Sequence, residues 1–181
     1  MERSVLIAGF GGQGVMLIGK MLGYAAIKMG LQATFFPAYG AEQRGGTANC
    51  TLITSESEIE CPLLEKFDDL VIMNQLSLAT FAGAVKMGGK ILINSSLVKA
   101  DEKAYPNCIK VPCGDIAIEA GSIKAANMVA LGSYIALHDT FDLEIVKTLV
   151  EQSFESKPAL AEMNLRAIDA GYRTICSMQQ V

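Results

Sequence analysis

The sequence predicts an α/β layered domain with a mainly parallel sheet and a helical C-terminal third. Three observations predict it. Short apolar runs suited to buried strands alternate with stretches of helical length. A glycine-rich turn, Gly9-Phe10-Gly11-Gly12-Gln13-Gly14, stands between the first such run and the first helix and gives the unit a Rossmann-like opening. From Ser122 onward the pattern is mostly helical, rich in Ala, Leu and Met. Parallel strands need crossover helices, so the alternation points to a layered sheet. The 181 residues show no internal repeat and no linker, and one domain over 1–181 is expected.

The elements follow in order. Ser4–Ala8 reads as a buried strand, and Val15 to Met29 as a helix that Gly30 ends. Ala33–Phe36 reads as a second strand stopped by Pro37, and Thr47–Thr54 as a third. Ser55 to Asp69, with Glu56, Glu58, Glu60 and Glu65, reads as a surface excursion. Leu70–Met73 is the next strand, Gln75 to Met87 a helix ending at Gly88-Gly89, and Lys90–Asn94 and Cys108–Val111 two more strands. Ser122–Leu137 is a helix. Asp142 caps the next one, whose Leu143, Val146, Leu149, Val150 and Phe154 form an apolar stripe. Pro158 suits the first turn of a last helix running to about Ser177. The helices from Ser122 to Ser177 hold more apolar residues than one sheet face needs, so some are expected at a subunit contact.

Composition narrows the function. Hydrophobic residues make up 51% and charged residues 19%, enough for one large core and incompatible with a disordered chain. The net charge of -4 argues against a general nucleic-acid binder. The apolar stretch Val15–Leu31 is interrupted by Lys20 and Lys28, so no membrane span is expected. No signal-peptide pattern opens the chain, and a cytoplasmic location is expected. Cys50, Cys61, Cys108, Cys113 and Cys176 form no C-x-x-C pair, and read as buried or half-buried thiols rather than metal or cluster ligands. His138 is the only histidine and, beside Asp139, reads as a solvent-exposed cap rather than a base.

Gly9, Gly11 and Gly14 fit G-x-G-x-x-G, with Gly12 in addition. Glycines permit a tight turn and close backbone approach, and a helix start favours an anion. Between Arg3 and Ala41 there is no acidic residue, while Arg3, Lys20 and Lys28 are basic. Two readings stand: Gly9, Gly11, Gly12, Gln13 and Gly14 contact a ligand, or the glycines only pack the helix on the sheet. The dinucleotide reading lacks its acid, since the second strand ends Phe35-Phe36-Pro37. A second polar loop, Tyr39-Gly40-Ala41-Glu42-Gln43-Arg44-Gly45-Gly46, holds one of four arginines. Arg44 offers a fork for a carboxylate or phosphate, or pairs with Glu42 to hold the loop. Asn127, alone in the apolar run Asn127–Gly132, reads as a satisfied core group or an interface contact.

Together these motifs resemble the gamma subunit of 2-oxoacid:ferredoxin (acceptor) oxidoreductases. The glycine turn Gly9–Val15, the loop Tyr39–Gly46, Asn127-Met128-Val129 with Leu131-Gly132, and the late Asn164, Ala167, Gly171-Tyr172 occur in the family's order along nearly the whole chain. The resemblance implies a non-autonomous subunit of an enzyme that decarboxylates a 2-oxoacid, passes electrons to ferredoxin and forms an acyl-CoA. It implies alpha and beta partner subunits, in some forms also a ferredoxin-like delta subunit. Thiamine diphosphate, magnesium and iron–sulfur clusters would be held by those partners, and none by this chain alone. Coenzyme A is the co-substrate, which the glycine turn would contact. Tyr39, Glu42, Gln43, Arg44, Gly45, Gly46 and Asn127 would face the active site or a partner. The length looks most like the 2-oxoglutarate or branched-chain types, with 2-oxoglutarate preferred. The alternative is a free-standing nucleotide- or CoA-binding module.

Overall fold

The computed structural model describes residues 2–40, 46–138 and 140–179. Six strands form one sheet: β1 (Arg3–Phe10), β2 (Gln32–Tyr39), β3 (Thr47–Ser55), β4 (Phe67–Ile72), β5 (Val85–Asn94) and β6 (Cys108–Val111). Their order is β2-β3-β1-β4-β5-β6. β1, β4, β5 and β6 run parallel, as the alternation predicts. β3 lies antiparallel to β1 and β2, so one edge of the sheet is a hairpin rather than a crossover unit. Among the described residues six α-helices accompany the sheet: α1 (Val15–Lys28), α2 (Gln75–Phe81), α3 (Cys113–Ala120), α4 (Ala126–Ala136), α5 (Leu143–Ser153) and α6 (Pro158–Gln179).

Strand side chains alternate between two cores. Val5, Ile7, Leu52, Val71 and Leu92 face the helices α1 and α3–α6, while Leu6, Leu70, Ile72, Ile91 and Ile93 face the smaller cluster over α2. Both faces of the central strands are therefore covered, and their sequences are continuous apolar runs.

The elements differ from expectation in identifiable ways. Pro37 does not stop β2, which continues to Tyr39; β2 is an edge strand, where a missing N–H is tolerated. The excursion after Ser55 ends at Phe67, because Phe67-Asp68-Asp69 already belong to β4. The helix from Gln75 ends at Phe81, and Val85–Met87 open β5. Gly88 there has φ +82°, and the pairing register slips between Phe67 and Asp69. The helix α3 was not foreseen; Ser96 Oγ accepts from the Gly114 and Asp115 N–H groups at its start. Asp142 does cap α5, accepting from the Ile145 N–H at 3.0 Å.

Much of the apolar surface of the C-terminal third packs inside the chain. Asn127 to Ile135 of α4 are all buried, against α6 on one side and α3 on the other. Ile123, near the start of this third, is 55% exposed; Tyr39 and Leu97, outside it, are 71% and 58% exposed.

At the N-terminal end of the parallel strands sits a buried charged cluster. Arg3 Nε donates to Asp69 Oδ2 at 2.8 Å, and the Tyr134 hydroxyl donates to the same oxygen at 3.1 Å. His138 Nε2 lies 3.1 Å from that oxygen and 2.8 Å from Arg3 Nη2. His138 is thus no solvent-exposed cap: its side chain is 8% exposed and built into an ion-pair network.

Candidate functional site

The site is built where β1, β4, β5 and β6 end, the edge of a parallel sheet at which ligands bind. Each strand delivers one part. After β1 the glycine turn leads into α1, with Gly12 at φ +96° and Gly14 at φ +74°. After β4 come Met73 and Asn74, the latter capping α2 by accepting from the Ser77 N–H at 2.9 Å. After β5 come Ser96 and Leu97, and after β6 the first turn of α3 with Gly114. Ile123, Lys124 and Asn127 at the start of α4 close the remaining side. Apart from Gly14, Asn74 and Ser77, these residues line a mostly apolar cleft of about 260 Å³. Lys124 is the one charged side chain among its described lining residues.

The glycines divide into separate tasks. A Cβ on Gly9 would stand 2.8 Å from Gln13 Oε1 and 2.9 Å from Val15 Cγ1, so Gly9 is required by packing. Gly14 has Asn127 packed onto its Cα, with Asn127 Nδ2 3.5 Å from the Gly14 carbonyl. A Cβ on Gly12 would meet nothing within 4 Å, so, unlike Gly9 and Gly14, Gly12 opens onto free space, with a left-handed φ. The N–H groups are divided as well. Gly11 donates to the Gly46 carbonyl at 2.9 Å and Gln13 to the Phe10 carbonyl at 3.1 Å. No acceptor among the described residues takes the N–H of Gly12, Gly14 or Val15. The N–H groups of Gly11 and Gln13 are thus taken within the chain, and the donors that no described residue takes up are the second, fourth and fifth of the run from Gly11 to Val15.

The Gln13 side chain is also used within the chain. Its Oε1 accepts from the Phe10 N–H at 2.8 Å and from Asn74 Nδ2 at 3.1 Å, while its Nε2 donates to the Met73 carbonyl at 3.3 Å. The basic residues of the N-terminal segment do not gather at the turn. Arg3 lies at the opposite end of β1, roughly 23 Å away for eight residues of strand. Lys28 lies at the far end of α1.

Of the second loop, Tyr39 is 71% exposed at the end of β2, and Gly46 holds the Gly11 N–H. Glu42, Gln43, Arg44 and Gly45 lie outside the described residues. The four sequence signatures nevertheless meet pairwise. Gly11 bonds Gly46, Gly14 packs on Asn127, and Gly132 of α4 packs on α6 beside Gly171. Asn74, Asn94, Ser96 and Lys124 were missed by sequence reasoning. Single polar residues just beyond a strand carry no signal until the strand order is known.

Among the described residues no three His, Cys, Asp or Glu side chains form a group that could hold a metal ion. Burial pushes the Cys50 and Cys113 thiols up to about 12, so neither is a thiolate at neutral pH. Cys61, expected to be at least half-buried, is exposed. In the native protein a maleimide should label Cys61 first, and Cys50 and Cys113 only after unfolding. Mass spectrometry of the labelled peptides reads this, and early labelling of Cys113 would contradict the burial.

The family model for pyruvate ferredoxin/flavodoxin oxidoreductase matches residues 4–174. The chain belongs to that family. The ketoisovalerate oxidoreductase subunit VorA of Methanothermobacter marburgensis is 39% identical over 94% of this chain. The chain spans only 36% of VorA's length. The 2-oxoglutarate synthase subunit KorC of the same organism is 31% identical, covering 99% of this chain and 100% of its own. Among solved structures, the gamma subunit of a keto/oxoacid ferredoxin oxidoreductase from Geobacter sulfurreducens superposes with a TM-score of 0.82 at 28% identity, over 97% and 99% of the two chains. This chain is thus a gamma-type member of the oxidoreductase family. The mixed six-stranded sheet, hairpin edge included, belongs to a chain that superposes on the Geobacter sulfurreducens gamma subunit over nearly its whole length.

Proposed function

We propose that this chain is the gamma subunit of a 2-oxoacid:ferredoxin oxidoreductase of the EC 1.2.7 class, and that its cleft contributes to the coenzyme A site. The observation that carries the reading is the cleft at the C-terminal ends of the parallel strands, into which Gly12 opens with no atom within 4 Å of its Cβ position. The N–H groups at the start of α1 that no described residue takes up, and the Lys124 ammonium, suit a phosphate of the ligand. The apolar remainder of the wall suits its uncharged arm. Partner chains of alpha and beta type supply thiamine diphosphate, magnesium and clusters in this reading, with ferredoxin as acceptor and a cytoplasmic setting. This chain's part is to bind, orient and cover.

The substrate is a 2-oxoacid. Similarity to KorC over its whole length supports 2-oxoglutarate; the higher identity to VorA supports a branched-chain acid such as ketoisovalerate. Both belong in the assay. The complex co-expressed with the neighbouring subunits should turn over one of them with CoA and an electron acceptor, while this chain alone should not. In that complex Gly12→Val should raise the KM for CoA about tenfold. Its left-handed φ costs a valine about 1–2 kcal/mol, so a loss of a few degrees in Tm is expected as well. Normal CoA kinetics in a folded variant would make the turn architectural.

A further inference from the structure

We infer that Gln13 is a positioning residue: its amide latches the glycine turn to the start of α2 through Asn74, and so holds Gly12 open to the cleft. The inference rests on the reading of the cleft as a coenzyme A site, which it deepens.

The three bonds of Gln13 converge from two different strand ends. The Phe10 N–H belongs to the turn itself, whereas the Met73 carbonyl and Asn74 Nδ2 belong to the segment after β4. Asn74 is 4% exposed and uses both ends of its amide, Oδ1 on the Ser77 N–H and Nδ2 on Gln13. One chain of hydrogen bonds therefore runs from β1 through Gln13 and Asn74 to the first turn of α2. The turn is held on its other side by the bond from Gly11 to Gly46. Pinned on both sides, Gly12 keeps its left-handed conformation without any side chain behind it. Gln13 does line the cleft, but with both ends of its amide committed it offers a ligand little beyond its surface. A residue whose polar groups are spent on the backbone fixes geometry rather than making contact.

Two variants separate positioning from contact. Gln13→Met keeps the length and removes all three bonds. Asn74→Ser keeps a good cap for α2, adds no charge, and removes only the donor to Gln13; Asn74 itself stands outside the cleft wall. The full-length chain, in the assembly in which it purifies, is followed by hydrogen–deuterium exchange over residues 9–17 and by CoA titration. Each variant should speed exchange of the turn about three- to tenfold, the factor expected for a lost hydrogen bond. Each should weaken CoA binding by a similar factor while Tm stays within a few degrees. The double variant should be no worse than Gln13→Met, because one latch is being broken twice. If Asn74→Ser leaves both exchange and CoA affinity at the wild-type level while Gln13→Met loses CoA, Gln13 is a direct contact and the inference is overturned. If exchange changes as expected but the wild-type protein has no affinity for CoA, the latch stands and the coenzyme A reading falls. Should Gln13→Met fail to fold, Asn74→Ser carries both readings.

Discussion

Gly132→Ala is expected to remove the folded protein, or to cost about 4 kcal/mol or more, the range reserved for core overpacking and broken backbone contacts. The reason is the crossing of α4 and α6. A Cβ on Gly132 would be driven into the carbonyl oxygen of Ile168 and lie 2.8 Å from its carbonyl carbon. A Cβ on Gly171 would in turn be driven into the carbonyl oxygen of Val129. The two helix backbones touch, with Ser133 Oγ donating to the Gly171 carbonyl at 3.1 Å beside them. No rotamer change relieves a clash with backbone, so the helices must separate and open the core around Val129, Ala167 and Ile168, all unexposed. Gly171→Ala should do the same. Gly23→Ala is the internal control: its Cβ would sit 3.4 Å from Leu52 Cδ1, an ordinary contact. Exchanging a mid-helix glycine for alanine there should stabilise by up to about 1 kcal/mol. Thermal melts of the three variants test the contrast; equal melting points would show that the helices do not approach as closely as described.

Asp69→Ala should cost about 3 kcal/mol and lower Tm by about 6–12 °C. Asp69 is 1% exposed, and its Oδ2 takes Arg3, Tyr134 and the contact with His138, while Oδ1 has no hydrogen-bond partner among the described residues. Removing the carboxylate strands a guanidinium that is itself 30% exposed, so the loss lies at the lower end for a broken buried pair. The cluster also predicts the acid limb of stability. Burial disfavours the Asp69 carboxylate, but the bonds and charges of His138 and Arg3 outweigh it and hold the group below its ordinary value. A carboxylate with a depressed folded pKa adds stability that is complete above the unfolded value, about 3.9, and is lost as pH falls through the folded one. Wild-type Tm should therefore hold through neutral pH and fall below about pH 4. Asp69→Ala should start lower and lose less over that acid range. An identical acid slope in the variant would assign the acid sensitivity to other carboxylates, of which Asp68, bonded to Ser4 and Lys86 and also depressed, is the first to examine.

Much of the layered fold was legible in the sequence because it is written locally. A buried parallel strand is a short apolar run: Ser4–Ala8 and Lys90–Asn94 read as such and fall within β1 and β5, and Leu70–Met73 overlaps β4, which ends at Ile72. The glycine turn, the Asp142 cap and the start of α6 at Pro158 are likewise local chemistry. Strand neighbours are not local. That β3 returns antiparallel beside β1, and that Pro37 is harmless within β2, follow only from which strand sits at the edge.

The same division holds at the site and at the ion cluster. The spacing of Gly9, Gly11, Gly12 and Gly14 announced a turn with close approach. It did not tell which glycine packs and which opens, since that depends on Asn127, Met73 and Val15 arriving from other elements. Nor did Gln13 reveal that its partners would be Met73 and Asn74, some sixty residues on. His138 beside Asp139 reads in the sequence as a solvent-exposed cap; its partners Arg3 and Asp69 are 135 and about 70 residues away and reach it because β1 and β4 are neighbours. Periodicity, capping and turn chemistry act over a few residues, so the sequence by itself determined the elements and the motif order that marks the family. Hydrogen-bond partners of buried polar groups are set by which segments the sheet brings side by side, and only the tertiary structure decided those.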